Sequence, residues 1–315
     1  MDYRTTGKDL FHLALLVGLV LGLLGLLTWT GVMRCGAIPG WCDAYYMVVR
    51  GGPPRVLIVY GLEGMGDPEL LRAELASPQH VGVQAAMERL DSVNLDNIKR
   101  YDLVIVEHAR TISTGKLKMF MEYATSGGRL VWTGDAGSVL APGDTPLLAG
   151  EDPSLDINAQ AGDPDAQVVL NPWRRKEGTR IIAFDEFLSV RYLTSYCDIK
   201  DCFVSRPWQG LLRTTEGSEH RLVYGLRQGL VLRGDFAVVQ SIDSVPSTRV
   251  LTLDWESDLI TKTGVNIGRV FPIIQTGGVG ERVAYYAVPP EQFVAPDLPE
   301  KYYTILENVY YGMIK

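Results

Sequence analysis

Cysteine is scarce, with four in 315 residues, in two close pairs: Cys35 with Cys42 and Cys197 with Cys202. The spacings C-x6-C and C-x4-C fit no common zinc pattern, and Asp198 and Asp201 flank the second pair. Each pair is expected to close a small disulfide loop; free thiols and a zinc site are the rivals. Disulfides persist outside the reducing cytosol, so this reading also points to a compartment. Basic charge is in short supply too. Thirty Lys and Arg face 37 Asp and Glu, a net charge of -7. That argues against non-specific nucleic-acid binding, which needs a positive field to displace phosphate counterions. Internal repeats and low-complexity tracts are missing. With 46% hydrophobic and 21% charged residues, the chain is neither a disordered tail nor a collagen-like repeat.

Charge is absent altogether from Leu10 to Met33. At about 1.5 Å per residue this run spans roughly 36 Å, enough to cross a hydrocarbon core of about 30 Å. A cleaved signal peptide is the competing reading. It would have a shorter apolar region and a small-residue cleavage site, whereas Val-Met-Arg-Cys-Gly follows here. An uncleaved single span is expected. Arg4 and Lys8 precede it and Arg34, Arg50 and Arg55 follow it, so basic residues do not set the orientation. The cysteine pairs tip the balance. Residues 1–9 are read as a cytoplasmic tail, 10–33 as the transmembrane helix, 34–54 as a membrane-proximal stalk and 55–315 as an extracytoplasmic domain at the plasma membrane.

Beyond Gly51-Gly52-Pro53-Pro54, apolar runs alternate with helical patterns. Arg55–Tyr60, Tyr101–Glu107 and Arg129–Thr133 read as buried strands. Asp67-Pro68 opens a helix as N-cap and first helical residue. Val83–Leu90 is expected to form a second helix. Ser113 or Thr114 starts a third, with Leu117, Met119, Phe120 and Tyr123 facing the core. This alternation predicts an α/β fold with a mostly parallel, doubly wound sheet. Residues of about 139–171 read as an acidic loop insertion. Asp156, Asn158 and Gln160 alternate as in a calcium loop, but no Glu completes the motif. The C-terminal part is β-rich, with candidate strands Ile181–Phe184, Leu222–Tyr224, Phe236–Gln240, Val250–Leu253, Val270–Ile274 and Val283–Val288. Tyr302–Ile314 closes the chain as a helix. Trp173-Arg174-Arg175-Lys176 is expected to be a solvated basic turn. Tyr285, Tyr286, Tyr302, Tyr303, Tyr310 and Tyr311 are expected to pack with their hydroxyls at the surface.

Several of these pieces occur in an order that resembles a known family. "YDLVIVEH", "KLKMFMEYATSGGRLVWTGDAG", "HRLVYGL" at His220–Leu226 and "GERVAYYAVPPEQF" followed by "YYTILENVYYGMI" are similar to the class I glutamine-amidotransferase-like superfamily, in its ThuA-like flavour. The resemblance implies a flavodoxin-like sheet spanning residues 55–315. It also implies a cysteine nucleophile at the strand-to-helix elbow. Here that turn is Thr133-Gly134-Asp135-Ala136-Gly137, with no thiol, so glutamine amidotransfer is not expected.

In a doubly wound sheet, ligands sit at the carboxyl ends of the strands. Glu63, Glu107, His108 and Asp135 fall there. A carboxylate beside an imidazole supports acid–base chemistry, and Glu, His and Asp together can hold a metal. Catalytic candidates are therefore Glu107, His108 and Asp135, with Glu63, Gly64, Gly134 and Ser138 as ligand-binding candidates. The plainer reading is that these polar groups cap helices and satisfy loop backbone. Gly61-Leu-Glu63-Gly64-Met-Gly66 follows a strand, but its order is G-x-x-G-x-G and no P-loop lysine follows, so a capped turn is expected. No metal or cofactor is expected. The function expected is a catalytically degenerate, membrane-anchored binding or assembly subunit with a protein partner in a cell-envelope complex. A hydrolase or sugar-modifying enzyme using Glu107, His108 and Asp135 is the alternative, and a small-ligand sensor the third reading.

Overall fold

The computed structural model describes residues 3–30, 32–33, 38, 40–148, 171–200, 208–209, 211–214, 220–226, 230–232, 234–262, 264–278, 280–296, 298, 300 and 301–314. They divide into two units, Met1–Pro54 and Arg55–Ile314. In the first, α1 (Tyr3–Trp29) contains the apolar stretch Leu10–Trp29, which is long and apolar enough to cross a membrane or to serve as a signal sequence. Most of its leucines and valines are exposed. Within the expected stalk lies a helix that the sequence reading did not anticipate, α2 (Trp41–Arg50), flanked by left-handed Gly40 and Gly51. Trp41 Nε1 donates to Thr28 Oγ1 at 2.9 Å. Cys42 lies in α2, and Cys197 lies in the short helix Tyr196–Ile199. Their expected partners Cys35 and Cys202 lie outside the described residues, as do Asp156, Asn158 and Gln160.

The second unit is built on an eight-stranded mixed sheet. Its strands are β1 (Val56–Tyr60), β2 (Ala86–Arg89), β3 (Leu103–Glu107), β4 (Arg129–Thr133), β5 (Leu211–Thr214), β6 (Ser247–Ile260), β7 (Asn266–Gly277) and β8 (Val283–Tyr286). The spatial order is β5-β6-β7-β8-β4-β3-β1-β2. The block β8-β4-β3-β1-β2 is parallel, and β5, β6 and β7 extend it antiparallel. Strands β3 and β4 are buried almost throughout, which is why they read as unbroken apolar runs rather than alternating ones.

Helix α3 (Pro68–Ala76) starts as the sequence predicts, with Asp67 Oδ1 accepting the N–H groups of Glu69 and Leu70 at 3.1 Å. Helix α4 (Thr114–Thr125) is capped by Ser113 and buries Leu117, Phe120 and Tyr123. Helix α5 (Tyr303–Met313) buries Ile305, Leu306, Val309 and Tyr310.

Four expectations are corrected. Val83–Leu90 is not a helix: Ala86–Arg89 is strand β2, in parallel register Leu57↔Ala86 to Tyr60↔Arg89. Ala-Ala-Met-Glu-Arg-Leu has helical propensity, but pairing with the open edge of β1 overrides it. Leu222–Tyr224 is part of a turn, in which Val223 N–H donates to His220 O at 3.0 Å and left-handed Gly225 follows. The basic run at 173–176 is not solvated. Trp173 and Arg175 have no exposed surface, and Arg174 is buried against Asp185 at 3.2 Å. Tyr285 and Tyr286 are fully buried, hydroxyls included; the Tyr285 hydroxyl donates to Gly134 O at 2.9 Å.

Gly312 of α5 packs face-on against the 221–222 turn. A Cβ there would lie 2.7 Å from Leu222 Cδ2 and 3.0 Å from Arg221 O. In an open helix, Gly→Ala gains up to about 1 kcal/mol. Here overpacking against backbone reverses the sign, at a cost of about 1–3 kcal/mol. Gly312→Ala is therefore expected to lower the melting temperature of the full chain in detergent; an unchanged or raised value would refute this packing.

Candidate functional site

The carboxyl ends of β1, β3 and β4 carry three loops, at residues 61–67, 108–113 and 134–138. Backbone hydrogen bonds lace them together. Gly61 N–H donates to His108 O at 3.0 Å, His108 N–H to Met65 O at 2.8 Å, and Arg110 N–H to Glu63 O at 2.8 Å. Gly137 N–H then reaches Ala109 O at 2.9 Å and Val139 N–H reaches Arg110 O at 2.9 Å. The contact is close enough to require glycine. A Cβ on Gly61 would sit 2.8 Å from Ala109 Cα, and one on Gly64 would sit 2.9 Å from Ala109 N. His108 adopts a left-handed φ of 48° to join this lacing, a conformation that costs an L-residue about 1–2 kcal/mol.

The catalytic candidates each make bonds of their own. Asp135, whose side chain is 2% exposed, accepts Met65 N–H at 2.7 Å through Oδ1 and Arg110 Nε at 2.6 Å through Oδ2. His108 Nδ1 lies 3.0 Å from Gly66 O. A carbonyl only accepts, so Nδ1 carries the proton. Glu107 has no exposed surface and faces the equally buried carboxyl of Glu291, in the single-turn helix Pro290–Val294 that follows β8. Burial first, then the charge of Glu291, then that of Asp67 hold the Glu107 carboxyl well above the usual carboxylate range. Burial likewise pushes Glu291 up to about 7, against the bond it accepts from Asp67 N–H.

The ligand-binding candidates are similarly engaged. Glu63 is exposed and accepts from Thr111 Oγ1 at 3.1 Å. Gly64 is part of the lacing, and Gly134 packs on Met65, with an added Cβ only 2.8 Å from Met65 Cβ. Ser138 is hydrogen-bonded to Tyr192, whose hydroxyl is pushed upward by burial and by the nearby charge of Asp135. The structure thus brings Asp135 together with Arg110 and Glu107 together with Glu291. It gives Glu107, His108 and Asp135 no hydrogen bond to one another. Arg110, Tyr192 and Glu291 are the participants that sequence reasoning missed. Glu291 carries a signal, a lone carboxylate in the apolar stretch Ala287-Val-Pro-Pro-Glu-Gln-Phe-Val294, but nothing local ties it to Glu107.

Among the described residues, no three His, Cys, Asp or Glu side chains are grouped to hold a metal ion. A cleft of about 530 Å³ opens at the opposite, amino end of β3 and β4, lined by Lys99, Asp102, Tyr123 and Arg129 among others.

No family model matches this sequence, and no curated protein matches it. Solved structures do. A ThuA-like protein from Bacteroides uniformis ATCC 8492 aligns with a TM-score of 0.50 at 14% identity, over 81% of this chain and 89% of its own. A β-galactosidase from Rahnella sp. R3 aligns at a TM-score of 0.45 and 12% identity, over 82% of this chain and 30% of its own. The α-L-fucosidase isoenzyme 2 from Paenibacillus thiaminolyticus gives 0.44 and 10%, over 82% and 32%. The chain spans about a third of these two glycosidases. The first likeness supports a ThuA-like fold; the other two carry no further argument.

Removing the Asp135 carboxylate leaves the Met65 N–H without an acceptor and releases Arg110. Leaving a buried donor unpaired costs about 1–3 kcal/mol. Asp135→Ala is expected to lower the melting temperature clearly, and Asp135→Asn, which keeps an acceptor for Met65, to lower it less. Equal losses in a thermal melt would contradict the capping role.

Proposed function

We propose that this chain is a single-span membrane protein whose α/β domain acts as a binding or assembly subunit of a cell-envelope complex rather than as an enzyme. One observation carries the reading. In the order β2-β1-β3-β4-β8, which matches the flavodoxin-like arrangement, the switch point lies between β1 and β3. Doubly wound proteins bind ligands in the crevice there. In this chain the loops after β1 and β3 are bonded backbone to backbone across that position, with glycines at van der Waals closeness. The polar side chains nearby serve that closure. Asp135, at the turn where the resemblance places a nucleophile, is spent on Met65 and Arg110.

The exposed apolar helix α1 supports anchoring through residues 10–33. Pairing of Cys35 with Cys42 and of Cys197 with Cys202 would place the domain outside the reducing cytosol, at the plasma membrane.

The test is affinity capture of the full chain from native membranes in mild detergent, with mass spectrometry of what stays bound. A stoichiometric partner is expected, retained equally by His108→Ala. A chain that emerges alone, or a hydrolytic activity abolished by His108→Ala while the fold survives, would overturn the reading. A chain truncated to begin at Pro53 is expected to be soluble and folded, because the second unit carries its own core.

A further inference from the structure

We propose that Glu107 and Glu291 form a buried proton-binding pair whose protonation latches the loop after β1 onto β3 and the Pro290–Val294 turn. This does not depend on the binding-subunit reading. Three elements meet at the pair. Glu107 ends β3, Glu291 lies in the turn after β8, and Gly66 and Asp67 lead into α3. Both carboxyls have no exposed surface. Asp67 N–H donates to Glu291 Oε1 at 2.9 Å. Gly66 roofs the pair: a Cβ on it would lie 3.3 Å from Glu291 Oε1 and 3.5 Å from Glu107 Cβ.

Beyond the backbone N–H groups of Asp67 and Glu291 that the Glu291 carboxyl accepts, the pair's oxygens have only each other among the described residues. Their contact is carboxyl to carboxyl, which is attractive only with a proton between them. Two adjacent carboxylates away from water cannot both ionise cheaply. The charged groups on the surrounding elements do not relieve this. Asp67 adds repulsion. On α3, Arg72 pairs with Glu69 at 3.9 Å, and Glu74 is a further carboxylate on that helix. Arg110 pairs with Asp135, and on α5 Glu307 pairs with His80 at 3.2 Å. His108, next along the chain, is bonded to Gly66 O.

The direction of the pH effect follows from linkage. Both carboxyls are raised in the closed state, Glu291 to about 7 and Glu107 further. Opening to water restores the ordinary value near 4.5. The latch is therefore fully closed below that ordinary value and is lost as pH rises through the raised ones.

Hydrogen exchange of the full chain in detergent, from pH 5 to 8.5 and corrected for intrinsic rates, reads this directly. Protection of peptides covering 61–70 and 288–294 is expected to fall from about pH 5 up through the raised values, by about tenfold per pH unit for each proton that the closed pair holds and the open pair does not. In E107Q an amide replaces the shared proton, donating to Glu291, and protection is expected to lose its pH slope. A flat profile in the wild type, or an unchanged slope in E107Q, would overturn the proposal. Should E107Q fail to fold, E291Q, which keeps an acceptor for Asp67, serves the same reading. Infrared spectroscopy of the wild type at pH 7 adds a variant-free test: the carbonyl band of a protonated buried carboxyl is expected, and its absence would overturn the proposal.

Discussion

Parallel pairing of β1 with β3 is the constraint on which the rest of the second unit hangs. The register sets Tyr60 opposite Glu107, so Gly61 and His108 leave the sheet side by side. The ladder does not stop there: Gly61 N–H to His108 O continues it into the loops. A strand edge that runs on into its own connections leaves little room for a guest. It also fixes which way Glu107 turns, because side chains alternate along a strand and its neighbour Val106 takes the opposite face.

The same end of the sheet is held from outside by a buried arginine. The Arg175 guanidinium donates to the carbonyls of Ile112, Gly137, Val139 and Pro172 and pairs with Asp144. Burial pulls its acidity to about 10, opposed by Asp144. Trp132 and Trp173 both donate their indole N–H to Ala136 O, at 2.9 and 2.8 Å. The turn at 134–138 is thereby clamped by three large side chains. A fully buried charge costs several kcal/mol unless its donors are satisfied, and here backbone carbonyls supply most of the acceptors.

Much of this was legible in the sequence where the signal is local. The apolar runs of β1, β3 and β4, the Asp67-Pro68 cap, the Ser113 cap and the apolar face of α5 all depend on neighbours within a turn or two. What escaped depends on distant partners. Ala86–Arg89 reads as helix until the open edge of β1 is beside it. Arg174 and Arg175 read as solvated until Asp185 and the 134–144 segment are folded around them. The candidate residues Glu107, His108 and Asp135 were rightly placed at strand ends. Their bonding was not readable, since Glu107 meets Glu291 from a part of the chain that no periodicity connects to it.

The position of β8 has a consequence for how the molecule is made. This strand pairs with β4 in the register Leu130↔Val283, with the whole of residues 131–282 between them. Contacts so far apart in sequence are slow to form, because the loop must close before they reward it. Until β8 arrives, β4 stands as an open edge with apolar faces, the kind of edge that recruits foreign strands. A chain emerging from its amino terminus would carry that exposed edge through nearly half of its synthesis. Its safe assembly then depends on the last quarter of the sequence, where the closing strand, the Glu291 turn and α5 all reside.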